Sequence, residues 1–317
     1  MWEIWSSPKE HFNCYIGPGL LPTSGILVIC GEPGIGKSFL AQQTAFELAC
    51  GRRWMGLFPA KETIVVYLEL EKRSPIARAR FRREDWQKEY PEALVNLGYY
   101  DEDIPQLDTD FGANKLENMI KDTGAKIIIV DSFTTTILDE TDTVNIKTAV
   151  VNYRKLAKTY EVSFILIQHL IKRPTTYDQK GGKWKEPPLR LNDMKGSKYL
   201  QYEVDTVLGV AISKGREREI GFLKHSFCPY QLSEAGPLYF QYRPDTTTPF
   251  LFSNDKVKDL LFYVGNGITE LSDLENALGM TRPTITQLIY KLRDMGLVKK
   301  ITGGGRGIGT QIKLVEI

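Results

Sequence analysis

Three glycines, a lysine and a hydroxyl fall within Gly31-Glu32-Pro33-Gly34-Ile35-Gly36-Lys37-Ser38, in the spacing G-x-x-x-x-G-K-[ST]. An anion reaches a backbone closely only where side chains are absent, which Gly34 and Gly36 achieve. The N–H groups so exposed form an anion nest at the start of the following helix, whose dipole adds attraction. Lys37 supplies a point charge for β- and γ-phosphates, and the Ser38 hydroxyl a ligand for Mg²⁺. Residues Gly31 to Ser38, with Phe39 behind them, are therefore the expected cradle for ATP and Mg²⁺.

Two acids complete this chemistry. Residues 126–132, Lys-Ile-Ile-Ile-Val-Asp-Ser, read as a central strand that delivers Asp131 beside the glycine-rich loop, where it can hold the water shell of Mg²⁺ together with Ser38. A second strand, 63–68, emerges at Glu69-Leu70-Glu71, and alternation puts Glu69 and Glu71 on one face. A carboxylate leaving a buried strand at this place can polarise the water that attacks the γ-phosphate, and Glu71 is the expected base. The same pair is also compatible with two solvated acids at a strand exit.

These groups need elements to carry them. The run Ile26 to Ile29 is apolar and β-branched, as in a strand buried on both faces of a parallel sheet. A helical pattern follows the glycine-rich loop (Phe39, Leu40, Thr44, Ala45, Leu48). A basic stretch with Arg78, Arg80, Arg82 and Arg83 reads as a solvated helix face. An amphipathic helix spans about 144–160, and a strand at 163–167 ends in Gln168-His169, a polar tip that can touch the γ-phosphate and report its loss. Strands at 206–212, 220–225 and 238–242 follow, the last two closing the sheet antiparallel. Before all of this, Trp2, Trp5, Phe12 and Tyr15 lie in a lead-in segment, 1–24, placed against the core or a neighbouring subunit.

Residues 172–198 form a long segment whose cations (Lys172, Arg173, Lys180, Lys183, Lys185, Arg190, Lys195, Lys198) outnumber its acids, with Tyr177 and Trp184 interleaved. Cations for phosphates and aromatics for base stacking suit single-stranded DNA, with Lys183, Trp184 and Lys185 as its expected contacts; a solvated loop has the same composition. From Asp255 onward three helices precede a β-hairpin around Gly303 to Gly307. Thr281 caps the third helix, with Pro283 in its first turn. Ile285, Leu288, Ile289 and Leu292 face inward there, and Arg282, Thr284, Gln287 and Lys291 outward. This is the order of a winged helix-turn-helix, whose third helix enters a major groove: Arg282, Gln287, Lys291 and, on the wing, Arg306 are the expected duplex contacts. Many such units dock on proteins instead. The segment is expected to fold around Leu260, Leu274, Leu288 and Leu292.

Composition restricts the remaining possibilities. In 317 residues, 41 Lys and Arg stand against 39 Asp and Glu, so no global field favours nucleic acid and local patches must do so. Cys14, Cys30, Cys50 and Cys228 are scattered without a C-x-x-C pair, which argues against a zinc site or disulfide framework and for a reducing compartment. No apolar run is long enough to span a membrane, and the first residues lack a signal-peptide pattern. A cytoplasmic protein with no membrane partner is the expectation.

With Gly31–Ser38, Glu71, Asp131 and Gln168-His169-Leu170-Ile171-Lys172 in this order, residues 15–243 resemble the RecA-like ATPases, in particular the DnaB- and plasmid RepA-type hexameric helicases. Gly196-Ser197, upstream of Asp205-Thr206-Val207, resembles that family's Gly-Ser helix leading into a strand. The resemblance implies an α/β fold with a mainly parallel sheet, a homo-hexamer, and a DNA channel lined by the loops after Asp131 and Gln168. It also implies catalytic roles for Lys37, Glu71, Gln168 and Lys224. One departure stands out. These helicases present a Lys and an Arg, one residue apart, to the neighbouring subunit's γ-phosphate, and Lys224-His225-Ser226 keeps the Lys but has Ser for the Arg. Either Arg216 or Arg218 substitutes, or transfer between subunits is weak. The expected organisation is a lead-in (1–24), an ATPase core (25–245) and a small C-terminal winged helix (255–317). The expected function is a replicative DNA helicase of a plasmid, phage or mobile element. The alternative is an ATP-switched DNA-binding regulator or helicase loader with slow turnover.

Overall fold

The computed structural model describes residues 13–71, 79, 81, 84–101, 104–171, 176–178, 183–185, 189–195, 198–212, 217–227, 237–246, 249–252, 254–301 and 311–315, with backbone alone for 84, 85, 176–178, 183–185, 252, 255, 300 and 301. Trp2, Trp5, Phe12, the arginines at 78, 80, 82 and 83, Gly196, Ser197, Arg216, Cys228 and Arg306 lie outside the described residues.

Strands β1 (Cys14–Ile16) and β2 (Leu21–Pro22) form a small antiparallel ribbon that delivers the chain to the core, and Tyr15 is buried there. Strands β3 (Ile26–Gly31), β4 (Val65–Glu69), β5 (Leu97–Tyr100), β6 (Ile127–Asp131) and β7 (Ser163–His169) are parallel neighbours in the order β3-β7-β6-β4-β5. Every residue of β3, β4 and β6 is buried, as expected where helices cover both faces of a parallel sheet. Strands β8 (Thr176–Asp178) and β9 (Lys183–Lys185) pair with each other as an antiparallel hairpin inside the segment read from sequence as a loop. Lys and Trp at β9 follow no run of apolar residues, so periodicity did not expose these strands.

On the other flank of β3 lies β10 (Thr206–Ile212), again parallel. Then β11 (Arg218–His225), β12 (Leu238–Tyr242) and β13 (Phe250–Phe252) continue antiparallel, making a nine-stranded sheet. Asp205, just before β10, ties this flank together. One carboxylate oxygen accepts from the Ile26 N–H at 2.8 Å, and the Arg154 guanidinium forks onto both oxygens at 2.8 Å from the helix Thr143–Tyr160. Breaking such a half-buried, bidentate pair leaves the buried Asp205 charge uncompensated, which fixes where β3 starts on its way to the glycine-rich loop.

Beyond β13 come the helices Asp255–Gly265, Leu271–Leu278 and Arg282–Asp294, then β14 (Val298–Ile301) and β15 (Gln311–Leu314) as an antiparallel pair. Gly279 closes the second helix with φ 59°, and Thr281 occupies the N-cap of the third. The Thr281 hydroxyl meets the Thr284 hydroxyl at 3.0 Å rather than a backbone N–H. Leu260, Leu274, Ile285, Ile289 and Leu292 are buried as expected, and Leu288 packs against them partly exposed.

This C-terminal core is continuous with the core under the nine-stranded sheet. Phe250, Val257, Leu261 and Val264 belong to the same hydrophobic cluster as Ala45, Leu48 and Ala49 of the helix Lys37–Ala49. The Gln43 side chain of that helix grips the backbone of Phe250 in both directions: its amide donates to the carbonyl at 3.1 Å and its carbonyl accepts from the N–H at 2.9 Å. A cavity of about 530 Å³ lies along this junction, bordered by Gln43, Glu47, Phe250, Lys258, Leu261 and Phe262. Among the described residues, no helix is long and apolar enough to cross a membrane.

Glu47 makes the junction sensitive to pH. Its carboxylate accepts from the Gln43 amide at 2.9 Å and from the Met55 N–H at 2.8 Å, yet burial dominates and pushes the group up to about 8. The folded chain therefore holds this proton more tightly than the unfolded one. Its contribution is full below the ordinary value of 4.5, declines as pH rises toward about 8, and totals on the order of a few kcal/mol. Thermal melts across this window should show a falling Tm that Glu47→Gln flattens. Parallel slopes for the two proteins would mean that Glu47 is already ionised in the folded chain.

Candidate nucleotide site

β3 ends at Gly31 and the helix Lys37–Ala49 begins at Lys37, so the five residues between them wrap the helix N-terminus. Gly34 and Gly36 adopt φ 75° and 108°, a region closed to most L-residues. At Gly36 space is equally decisive: a Cβ there would lie 2.9 Å from the Tyr242 ring. A pocket of about 360 Å³ opens on the loop, lined by Pro33, Gly34, Gly36, Lys37, Ser38, Phe39, Glu71, His169 and Tyr242. The larger cavity at the C-terminal junction contains none of these residues.

The parallel register puts the chemistry at one sheet edge. Glu69 pairs with Asp131 across β4 and β6, and Gly31 with His169 across β3 and β7. Lys37 is buried, and its ammonium donates to the Glu32 carbonyl at 2.9 Å and lies 3.5 Å from His169 Nδ1. His169 Nε2 lies 3.6 Å from a Glu71 carboxylate oxygen. Lys37, His169 and Glu71 thus form a chain across the mouth of the loop. Glu69, by contrast, is the last residue of β4 and is only 2% exposed, whereas the Glu71 side chain is 37% exposed and borders the pocket. Of the two acids that the sequence leaves open, Glu71 is the one placed to reach a water.

Asp131 sits behind Ser38. Burial pushes its carboxyl above the usual range, opposed by hydrogen bonds from Ser38 and Tyr67; the Tyr67 hydroxyl donates to Oδ2 at 2.8 Å. The other oxygen, Oδ1, is buried without a hydrogen-bond partner among the described residues. A buried carboxylate oxygen left over beside a hydroxyl is the donor set expected of a hydrated, oxygen-ligated cation, so Ser38 and Asp131 fit Mg²⁺.

Gln168 and His169 divide the strand tip between them. Gln168 is buried, its amide donating to the Lys195 carbonyl at 2.7 Å and its oxygen accepting from the His169 N–H, and it does not border the pocket. His169 does. The Lys195 N–H donates in turn to the His169 carbonyl at 2.9 Å, and Ile171 donates to the Asp193 carbonyl. The polar tip is therefore stitched to the base of the basic segment, where Lys195 also pairs with Glu140.

Lys224 lies elsewhere. Its ammonium donates to the carbonyls of Gln201, Tyr202 and Val204, closing the helix Lys198–Glu203. Arg218, the first residue of β11, donates to the Ile35 carbonyl of the glycine-rich loop in the same chain at 2.8 Å and lies over the Tyr242 ring at 4.5 Å. Arg282, Gln287 and Lys291 are exposed on one helix far along the chain, while the side chains of Lys183, Trp184 and Lys185 lie outside the described residues. Tyr242, Tyr67 and Arg218's hold on the loop were not foreseen from sequence, because each depends on which strands become neighbours.

A family model described as an AAA domain matches residues 5–174, more than half of the chain. Among solved structures, a KaiC-like protein from the hyperthermophilic archaeon Pyrococcus horikoshii OT3 shares the fold with a TM-score of 0.50 at 16% identity, covering 76% of this chain and 94% of that one. No curated protein matches the chain. The matched residues contain the glycine-rich loop, Glu71, Asp131 and His169, and the chain belongs to the AAA domain family, with a RecA-like P-loop ATPase core.

Proposed function

We propose that this ATPase is a DNA motor of the hexameric helicase type, in which single-stranded DNA contacts residues 172–198. The hydrogen bonds that join Gln168 and His169, at the strand tip beside the phosphate pocket, to Lys195, at the base of that segment, carry this reading. A change at the γ-phosphate alters the strand tip, and the tip is bonded to the basic segment. In the site, Lys37 and the loop N–H groups bind the phosphates and Glu71 accepts the proton of the attacking water. Ser38 and Asp131 hold Mg²⁺, which when bound neutralises phosphate charge. Phe39 and Tyr242 wall the pocket beyond the phosphate loop. Residues 255–317 form a winged helix that docks duplex DNA through Arg282, Gln287, Lys291 and Arg306, or a protein partner.

The test is the mass of the full chain by light scattering, with and without ATP and single-stranded DNA, alongside DNA affinity against salt. A six-fold assembly is expected. Replacing Lys183 and Lys185 together by Ala should lower affinity and reduce the salt slope by about one unit for each phosphate no longer neutralised. Unchanged affinity and slope would remove this segment from the DNA interface.

A second reading, a slow ATP-switched regulator or loader, is favoured by the engagement of Lys224 and Arg218, two of the three candidate trans-acting cations, the third, Arg216, lying outside the described residues. Lys224 closes a helix, Arg218 braces the glycine-rich loop of its own chain, and Ser226 stands where an arginine was expected. A mass independent of ATP, with turnover indifferent to single-stranded DNA, would decide for the switch.

A further inference from the structure

Tyr67 lies in the middle of β4, one strand from Asp131, with no exposed surface. A tyrosine at a fully buried position needs a partner for its hydroxyl, and it has one: Asp131 Oδ2 at 2.8 Å. The ring is held on two sides, stacked on Tyr99 with 6.1 Å between centroids and 12° between planes, and tilted against Phe81 at 5.0 Å. The phenol therefore arrives at the carboxylate with little freedom left to lose. With Oδ2 bound by Tyr67, and Ser38 donating to the same carboxylate, the buried oxygen without a partner among the described residues is Oδ1.

We propose that Tyr67 is a positioning residue for the cation: its hydroxyl fixes the rotation of the Asp131 carboxylate so that Oδ1 is presented to the shell of the Mg²⁺ that accompanies the nucleotide. This rests on the nucleotide-site reading above and adds to it a residue that touches neither nucleotide nor metal. Groups that orient a ligating carboxylate typically change metal affinity by about 10- to 100-fold when removed. Phenylalanine keeps the ring and its stacking and deletes one oxygen.

The experiment titrates Mg²⁺ into the full chain with a fluorescent ATP analogue, recording the Mg²⁺ concentration at half-maximal binding for the parent and Tyr67→Phe, with a parallel measurement in EDTA. Tyr67→Phe should raise the half-saturating Mg²⁺ concentration about tenfold or more and leave binding in EDTA unchanged. The same pair of measurements is made on Asp131→Asn and on the double variant. If Tyr67 acts through Asp131, adding Tyr67→Phe to Asp131→Asn changes the Mg²⁺ dependence no further. A phenol that merely satisfies the core would alter the melting temperature and leave the Mg²⁺ curve in place, and that result overturns the proposal. Equal shifts in both backgrounds overturn it too. Failure of the parent to bind the analogue at all would instead remove the nucleotide reading on which it stands.

Discussion

Glu71→Gln is expected to bind ATP as tightly as the parent and to hydrolyse it at least ~10²-fold more slowly, the scale of a lost general base. The carboxyl borders the phosphate pocket, is partly open to water, and faces His169 at 3.6 Å. The amide keeps the volume and loses the basicity, so binding and turnover should separate. Glu69→Gln supplies the contrast. Glu69 is buried at the end of β4, and its change should affect stability more than turnover. Equilibrium binding and single-turnover hydrolysis of both variants check this. Full activity in Glu71→Gln with none in Glu69→Gln would transfer the role to the buried acid.

Gly36→Ala should lower nucleotide affinity by about 10²-fold, because two costs combine. A non-glycine residue held at positive φ costs about 1–3 kcal/mol, and forcing a methyl group into a filled space costs a similar amount. Here φ is 108° and the Cβ would lie 2.9 Å from a Tyr242 ring atom. That ring has little room to withdraw, with the Arg218 guanidinium 4.5 Å from its centre and Phe250 at 5.1 Å. Gly34→Ala separates the two costs, because Gly34 also has positive φ, 75°, but among the described residues beyond its chain neighbours nothing lies within 4 Å of its Cβ position. It should lose only about tenfold, from the backbone alone. Binding titrations of the two variants give the answer, and equal losses would mean that Tyr242 does not press on the loop.

Sequence by itself determined what depends on neighbours along the chain. Spacing in Gly31–Ser38 requires positive φ and bare backbone, and the structure has both. The apolar run ending at Asp131 is a buried strand, and the periodic residues of 255–294 are three helices, because burial on one or two faces writes its period directly into the residues. Tertiary structure decided what depends on neighbours across strands. Glu69 and Glu71 are equivalent by alternation, and only the pairing of β4 with β6 buries one and opens the other at the pocket. Gln168 and His169 are both polar at a strand tip, and Lys195, 27 residues onward, takes the first and leaves the second for the site. Tyr67 read as one more apolar strand residue until Asp131, 64 residues away, came within 2.8 Å of its hydroxyl. Tyr242 read the same way until the antiparallel flank brought β12 over the glycine-rich loop. The C-terminal helices announced a core of their own, yet Gln43 and Phe250 join it to the ATPase. Local backbone preference and burial act over a few residues and leave a pattern there; a hydrogen bond between strands leaves none, since its partner is chosen by topology rather than by distance along the chain.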